Sequence, residues 1–532
     1  MMKQGSRSLV SGFLNSVEKY PKREALRVEK RSHTFRELFE ISSSFAAALD
    51  NHSIADEPKL TAIFASRTRT AYAGVIATLL RGFGFVPLNP KHPQERTERI
   101  LRQTGCRAVV VDKESCKQIG KVLEGFDRNL IVLLPDLEDV ADFRNAYPRH
   151  TMIGAKDLTP GISFTPRIAP MDSIAYIMFT SGSTGVPKGV MVSHGNLLPL
   201  LDFFVERYEM RPDDRMSVVS PLTFDPSVFQ LFLPWERGGC ACSPSEKALL
   251  NPGKYIDDHQ LTIWNCVPVM VLFMKRLGAL KRGSYPSLRL SIFAGEPLLE
   301  EVVKSWADAA PRSEIDNLYG PTELTINCTY YRWDREKSPG ECYRGIVPIG
   351  YPDRGMTPLV CDENLMEVPE GEIGELLMAG PQVSLGYLKD PEKTKESFIT
   401  PPGKKERYNR TGDLVRRPFA DEPLHFLGRN DSQIKILGQR VELGEIEAIL
   451  RRESGIDGVV AVGWPLTAGG PTGIAVFMEG MGLDVKELKK RLAVRLPEHM
   501  VPMQFHLLSK IPLNENGKYD RRALQKILEN VQ

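Results

Sequence analysis

No apolar run in the 532-residue chain approaches the roughly 18 residues that cross a bilayer. The opening stretch, Met1-Met2-Lys3-Gln4-Gly5-Ser6-Arg7, leads into no apolar core of signal-peptide length. Neither feature argues for a membrane. Net charge is nearly absent as well, with 69 Lys+Arg against 67 Asp+Glu, so no basic field points to a nucleic acid or an anionic surface. Cysteine is sparse at 8 residues, and only Cys240 and Cys242 lie close in sequence. With no second pair to complete a zinc set, reduced and mostly buried thiols are expected, and with them a cytoplasmic location. Repeats and low-complexity tails are missing too.

What the chain does have is length for two or more domains and 42% apolar residues to build their cores. Its first part alternates between short apolar runs and longer helical patterns. Thr34-Phe35-Arg36-Glu37 is a capping box ahead of an amphipathic run to Leu49. Strands are expected over 59–66, 107–112 and 129–134, with a buried helix over 72–80. Residues 145–170 read as a connector. A second alternating unit has strands over 216–220, 261–266 and 288–294, and helices over 227–235, 269–280 and 298–309. Such alternation implies parallel sheets covered by helices. From about Gly345, short β-like pieces divided by Gly, Pro and Asp suit a small β-barrel. From about Asp431 a compact unit follows, with strands over 433–436, 458–463 and 473–478 and helices over 443–453 and 485–496. The expected fold class is therefore α/β: a large N-terminal domain, 1–430, of two parallel α/β subdomains plus a small β-barrel. A small α+β C-terminal domain, 431–532, is joined to it by a hinge.

One loop organises the first part. The apolar run Ile174 to Phe179 leads into Thr180-Ser181-Gly182-Ser183-Thr184-Gly185-Val186-Pro187-Lys188-Gly189. Glycines let backbone N–H groups approach an anion, hydroxyls donate further bonds, and Lys188 adds a compact charge. The composition suits a polyphosphate. It is not the common nucleotide loop G-x-x-x-x-G-K-[ST], because Gly189 follows the lysine.

Three further stretches carry chemistry. Asn317-Leu318-Tyr319-Gly320-Pro321-Thr322-Glu323 offers an aromatic face, an amide and a carboxylate suited to Mg²⁺ beside phosphates. Tyr408-Asn409-Arg410-Thr411-Gly412-Asp413 holds an Asp able to accept two bonds from a ribose diol, and Gly428-Arg429-Asn430-Asp431-Ser432-Gln433-Ile434-Lys435 follows. Near the end, Asn516-Gly517 presents Lys518 on a tight turn. Each of these alone is also an ordinary solvated turn.

Together, in this order, they resemble the signature motifs of the adenylate-forming superfamily: acyl-CoA ligases, luciferases and peptide-synthetase adenylation domains. The likeness runs from about Thr34 to Arg522. It implies the use of ATP and Mg²⁺, with Thr180, Ser181, Gly182, Ser183, Thr184 and Lys188 around the phosphates. Asn317 and Tyr319 would hold adenine, Asp413 and Arg429 the ribose, Thr322 phosphate and Glu323 the metal. Lys518 would be the catalytic lysine, bridging the substrate carboxylate and the α-phosphate, and Asp431 the hinge.

Phe224-Asp225-Pro226-Ser227-Val228-Phe229 bears on the branch. An unpaired carboxylate is costly in a pocket for fatty or aryl acids but suits an ammonium group. The stretch looks like the peptide-synthetase motif whose Asp binds the substrate α-amine. Asp225 could instead cap the following helix, which leaves an acyl- or aryl-CoA ligase as the alternative. By the same resemblance Pro226, Phe229, Asn265, Ile292, Ala294, Leu318, Ile326 and Asn327 line the side-chain pocket. Two amides among apolar residues suit a small or hydroxylated, threonine-like amino acid. No carrier-protein or condensation-domain motif follows, so a stand-alone enzyme is expected, loading the phosphopantetheine of a carrier protein in trans. Two departures stand out. Leu437 occupies the place of the family's arginine in Lys435-Ile436-Leu437-Gly438, and Arg81-Gly82-Phe83-Gly84-Phe85 replaces an Ala/Gly-rich stretch, read as a packing change.

Overall fold

The computed structural model describes every residue except 1–6, 29, 54–56, 163, 183–186, 468–469, 481–482, 514–518 and 532. Among the described residues, no helix is long and apolar enough to cross a membrane. Two large sheets form the bulk of the molecule. The first runs, edge to edge, through Gly386–Tyr387, Lys188–Ser193, Ile174–Thr180, Gly84–Leu88, Leu60–Phe64, Ala108–Val111, Ile131–Leu134 and Thr151–Gly154. From Ile174–Thr180 to the far edge the strands are parallel, while the first two are antiparallel. The second sheet has the parallel strands Glu24–Val28, Cys240–Cys242, Arg215–Ser217, Ile263–Cys266, Leu290–Ala294 and Glu314–Tyr319 at its centre, with antiparallel strands at both edges.

Local physics explains most of these elements. The helix Phe35–Asn51 opens with a full capping box: Glu37 N–H donates to the Thr34 hydroxyl and Thr34 N–H donates to the Glu37 carboxylate. Such a cap is worth about 1 kcal/mol. The helix Arg69–Leu80 is apolar nearly all round and lies almost wholly buried between neighbours. Arg81, next in sequence, is buried and donates to Asp50 at 2.7 Å and to Ser53 and Thr61. This departure from the Ala/Gly-rich pattern is thus a structural clamp.

One expectation needs correction and one element was missed. The supposed connector contains Thr151–Gly154, which closes the first sheet by pairing in parallel with Ile131–Leu134. The N-terminal hairpin Glu24–Val28 and Arg31–Thr34 was not foreseen at all. It joins the second sheet through Leu26 opposite Ala241, a pairing that no local pattern announces. The barrel-like unit is an open antiparallel half-barrel of Thr357–Cys361, Ile373–Ala379, Phe398–Ile399, Tyr408–Arg416 and His425–Arg429. Among the described residues, strands from Gln433 onward pair with one another: the hairpin Gln433–Ile436 with Gln439–Glu442, a minor ribbon, and the sheet Val459–Gly463, Ile474–Glu479, Gln504–Leu508. The cysteines are all free, and Cys240 and Cys242 sit on one strand with Sγ atoms 3.8 Å apart.

Candidate active site

In parallel α/β sheets, ligands gather where strands end in loops at their carboxyl edge. Thr180, Asn265, Ala294 and Tyr319 lie at or next to the C-terminal ends of Ile174–Thr180, Ile263–Cys266, Leu290–Ala294 and Glu314–Tyr319. Side by side, these ends line one cleft, closed from above by the hairpin of the small domain.

At its apolar end is a cavity of about 60 Å³ whose wall includes Asp225, Phe229, Asn265, Leu318 and Asn327. Pro226, Ala294 and Ile326 also line it. Ile292 does not: it shares the face of Ala294, one pleat deeper, and is wholly buried in the core. Gly320 is needed here, since a Cβ on it would fall 2.4 Å from the Asn327 backbone. Asn327 donates its amide to Asp353 at 2.9 Å, and its side-chain oxygen Oδ1 is buried without a partner among the described residues. Asn265 accepts a 2.9 Å bond from the Gln230 amide.

Asp225 precedes the helix Pro226–Trp235 at the capping position, yet its side chain makes no capping hydrogen bond. Its Oδ2 is buried with no partner among the described residues. Burial pushes its carboxyl from the ordinary 3.8 up to about 7; the Thr322 hydroxyl opposes the shift and the Glu323 charge adds to it. The Lys435 charge pulls the other way, but burial prevails and no cation bonds Oδ2 among the described residues.

A second cavity of about 350 Å³ adjoins the first, lined by Asn317, Tyr319, Phe426, Asp413, Arg429 and Lys435 among others. The antiparallel register sets Asp413 directly opposite Arg429. The Arg429 guanidinium and the Tyr319 hydroxyl both donate to the Asp413 carboxylate. Arg429 also holds Asp431 through bonds of 2.7 and 2.6 Å, and Asn317 donates to the Pro348 carbonyl at 2.8 Å. The base, ribose and hinge candidates are therefore one contiguous cluster.

At the polar end stand Lys188, Glu323 and the described part of the loop. Thr180 Oγ1 is buried without a partner among the described residues. Ser181 donates to the Arg440 carbonyl at 3.0 Å, and Gly182 N–H to the Glu445 carboxylate at 3.2 Å. Lys188 lies 3.9 Å from Glu442, its pKa lowered by burial and by the nearby Arg440 charge. Burial acts to raise the Glu323 carboxyl, but Arg440 and Lys188 outweigh it and hold it below its usual range. Thr322 is hydrogen-bonded to Asp225. Ser183, Thr184 and Lys518 lie outside the described residues.

The sequence reading passed over Arg440, Glu442, Glu445, Glu296 and Tyr387. Glu296 accepts from the N–H of Gly438 at 2.6 Å and that of Val269 at 3.2 Å, pinning the hairpin tip to the large domain. Gly438 has φ +78, and a Cβ there would meet Val267 at 2.5 Å. Leu437 takes φ +52, so the two form the turn of a two-residue hairpin. The available signal was the alternation of Gln433 to Glu442 around Leu-Gly.

The model of the AMP-binding enzyme family matches residues 13–388. Phosphinothricin tripeptide synthetase PhsC of Streptomyces viridochromogenes is 33% identical over 97% of this chain, and tyrocidine synthase 3 of Brevibacillus parabrevis 31% over 97%. The chain spans only 45% and 8% of those two proteins. The adenylation domain AlmE of Vibrio cholerae, solved with glycyl-adenosine-5′-phosphate, superposes with a TM-score of 0.88 at 31% identity, covering 98% of both chains. An artificially fused adenylation–PCP di-domain from Klebsiella oxytoca has a TM-score of 0.76 at 24% identity. The chain belongs to the AMP-binding enzyme family. Within the adenylate-forming superfamily it is an adenylation domain of the non-ribosomal peptide synthetase type.

Proposed function

We propose that the chain uses ATP and Mg²⁺ to activate an amino acid with a small or hydroxylated side chain as its adenylate, then passes it to the phosphopantetheine thiol of a carrier protein in trans. The observation that carries this reading is Asp225: a buried carboxylate with an unpartnered oxygen, at a helix start it does not cap. A substrate ammonium supplies the missing cation; a fatty or aryl acid does not. The cavity of about 60 Å³ favours a small side chain, as does the glycyl ligand of AlmE. The unpartnered Asn327 Oδ1 suits a hydroxyl donor.

Roles follow from position. Tyr319 and Asn317 border the cavity for the base, and Asp413 with Arg429 would take the ribose diol. The loop Thr180 to Thr184 and Lys188 would steady the β- and γ-phosphates as pyrophosphate leaves. Glu323 suits Mg²⁺: one buried carboxylate facing a polar cavity, completed by phosphate oxygens, is the donor set this ion favours. When bound there, Mg²⁺ neutralises charge on the departing phosphates. We assign Lys518 to the charge that builds up during adenylation, and the 430/431 boundary to the hinge at Asp431.

Amino-acid-dependent exchange of labelled pyrophosphate into ATP, run across an amino-acid panel, is the test. Exchange with small or hydroxylated amino acids is expected. Exchange only with fatty or aryl acids would replace this reading with that of an acyl- or aryl-CoA ligase. Lys518→Ala is expected to abolish exchange while sparing thioester formation from supplied adenylate; equal loss of both steps would remove Lys518 from its role.

A further inference from the structure

The small domain meets the large one through the groups that the proposed chemistry reserves for polyphosphate and metal. Arg440 places Nη1 3.0 Å from each oxygen of Glu323, while the Tyr387 hydroxyl donates to one of them at 2.7 Å. Glu442 faces Lys188 at 3.9 Å. Glu445 accepts from the Gly182 N–H at 3.2 Å and from Arg96 at 3.2 Å, and the Arg440 carbonyl accepts from Ser181 at 3.0 Å. Each of these large-domain groups thus meets the sign of charge it would meet in a nucleotide complex. The lysine, the loop N–H and the hydroxyl face carboxylate or carbonyl oxygens, and the buried carboxylate faces a cation. All the small-domain partners come from one stretch, Arg440 to Glu445.

We propose that Arg440, Glu442 and Glu445 are an internal stand-in for magnesium pyrophosphate, and that Arg440 is thereby a positioning residue for acyl transfer. The guanidinium takes the metal's place on Glu323 and the two carboxylates take phosphate places at Lys188 and Gly182. Arg440 Nη1 covers both oxygens of Glu323, so a metal on that edge of the carboxylate would face the guanidinium charge. A phosphate at the Gly182 N–H would likewise face the Glu445 carboxylate, so seating and magnesium pyrophosphate oppose each other. Seating has a consequence at the other end of the hairpin. It brings Gly438 to the wall of the cavity beside Asp225 and lets Glu296 grip the turn. Seated after pyrophosphate departs, the hairpin closes the cleft for the thiol; pyrophosphate that returns unseats it. This inference rests on the polyphosphate reading of the loop.

The test is hydrogen exchange of the 433–442 hairpin in the whole protein, with magnesium pyrophosphate as probe and its binding measured by calorimetry on the same sample. The wild type is expected to show a protected hairpin that loses protection when magnesium pyrophosphate binds. Arg440→Ala is expected to leave the hairpin unprotected without ligand, and Arg440→Lys to restore part of the protection. Arg440→Ala should also slow transfer from supplied adenylate by about tenfold or more, with the loss falling on transfer rather than on pyrophosphate exchange. Binding with the hairpin still protected would overturn the stand-in alone. No binding of magnesium pyrophosphate would overturn the polyphosphate reading and the stand-in with it. A protected hairpin in Arg440→Ala would reduce Arg440 to an ordinary surface contact.

Discussion

Two carboxylates face the same cleft from opposite ends, Asp225 with 4% of its surface exposed and Glu323 with 3%. Glu323 has a guanidinium and a phenol hydroxyl on its oxygens and is held below its usual pKa. Asp225 has one hydroxyl partner and an orphaned oxygen, and is raised to about 7. Equal burial therefore produces opposite electrostatics, because a guanidinium sits directly on Glu323, whereas the Lys435 charge does not offset the burial of Asp225. The difference separates a site already satisfied from one that awaits a charged ligand.

Three experiments would break or sharpen this contrast. The largest effect is expected from Asp225→Ala. Truncating one side of a buried charge pair costs about 2–5 kcal/mol, which predicts a loss of roughly 30-fold to a few thousand-fold in kcat/KM for the amino acid. The KM for ATP should hardly move, and pyrophosphate exchange reads both. An unchanged amino-acid KM would return Asp225 to a structural role.

Glu323→Gln should act through the protein even without substrate. Among the described residues, it leaves Arg440 with only the longer 3.4 Å contact to the Glu442 carboxylate, and loss of a charged hydrogen-bond partner costs about 1–3 kcal/mol. Thermal unfolding of the ligand-free protein should show a lowered Tm. Asp225→Asn should do the reverse, because it removes a buried charge that Thr322 and Lys435 balance only in part; a lowered Tm for both variants would erase the contrast.

The smallest effect is the pH dependence. The Asp225 pKa is raised in the folded protein, so its contribution to stability falls as pH climbs from 3.8 through about 7, and the full cost of ionisation is felt above that. Ammonium binding needs the ionised form. The amino-acid KM should thus fall several-fold between pH 6 and pH 8 and then level off. Asp225→Asn should show no such slope, and a wild-type KM flat across that interval would contradict the shift.

Much of the fold was readable because its cues are local. Apolar runs such as Ile174 to Phe179, the capping box at Thr34 and the caps and breakers between them each act over a few residues. The missed pieces depend on partners far along the chain. Glu24–Val28 has meaning as a strand only beside Cys240–Cys242, and Thr151–Gly154 only beside Ile131–Leu134. The full burial of Ile292, one pleat below Ala294, was unreadable for a related reason: sequence gives its strand but not how deep each pleat lies. Arg440 was invisible because its carboxylate is 117 residues away.

By itself the sequence determined the alternating α/β architecture, the order of the chemistry-bearing motifs and the kind of ligand each could hold, since periodicity, turn chemistry and side-chain type are properties of short stretches. Tertiary structure alone decided which charges are paired. Asp225 makes no capping bond and keeps an unpaired oxygen, and Glu323 meets Arg440, because burial and pairing are set by distances through space, which spacing along the chain does not encode.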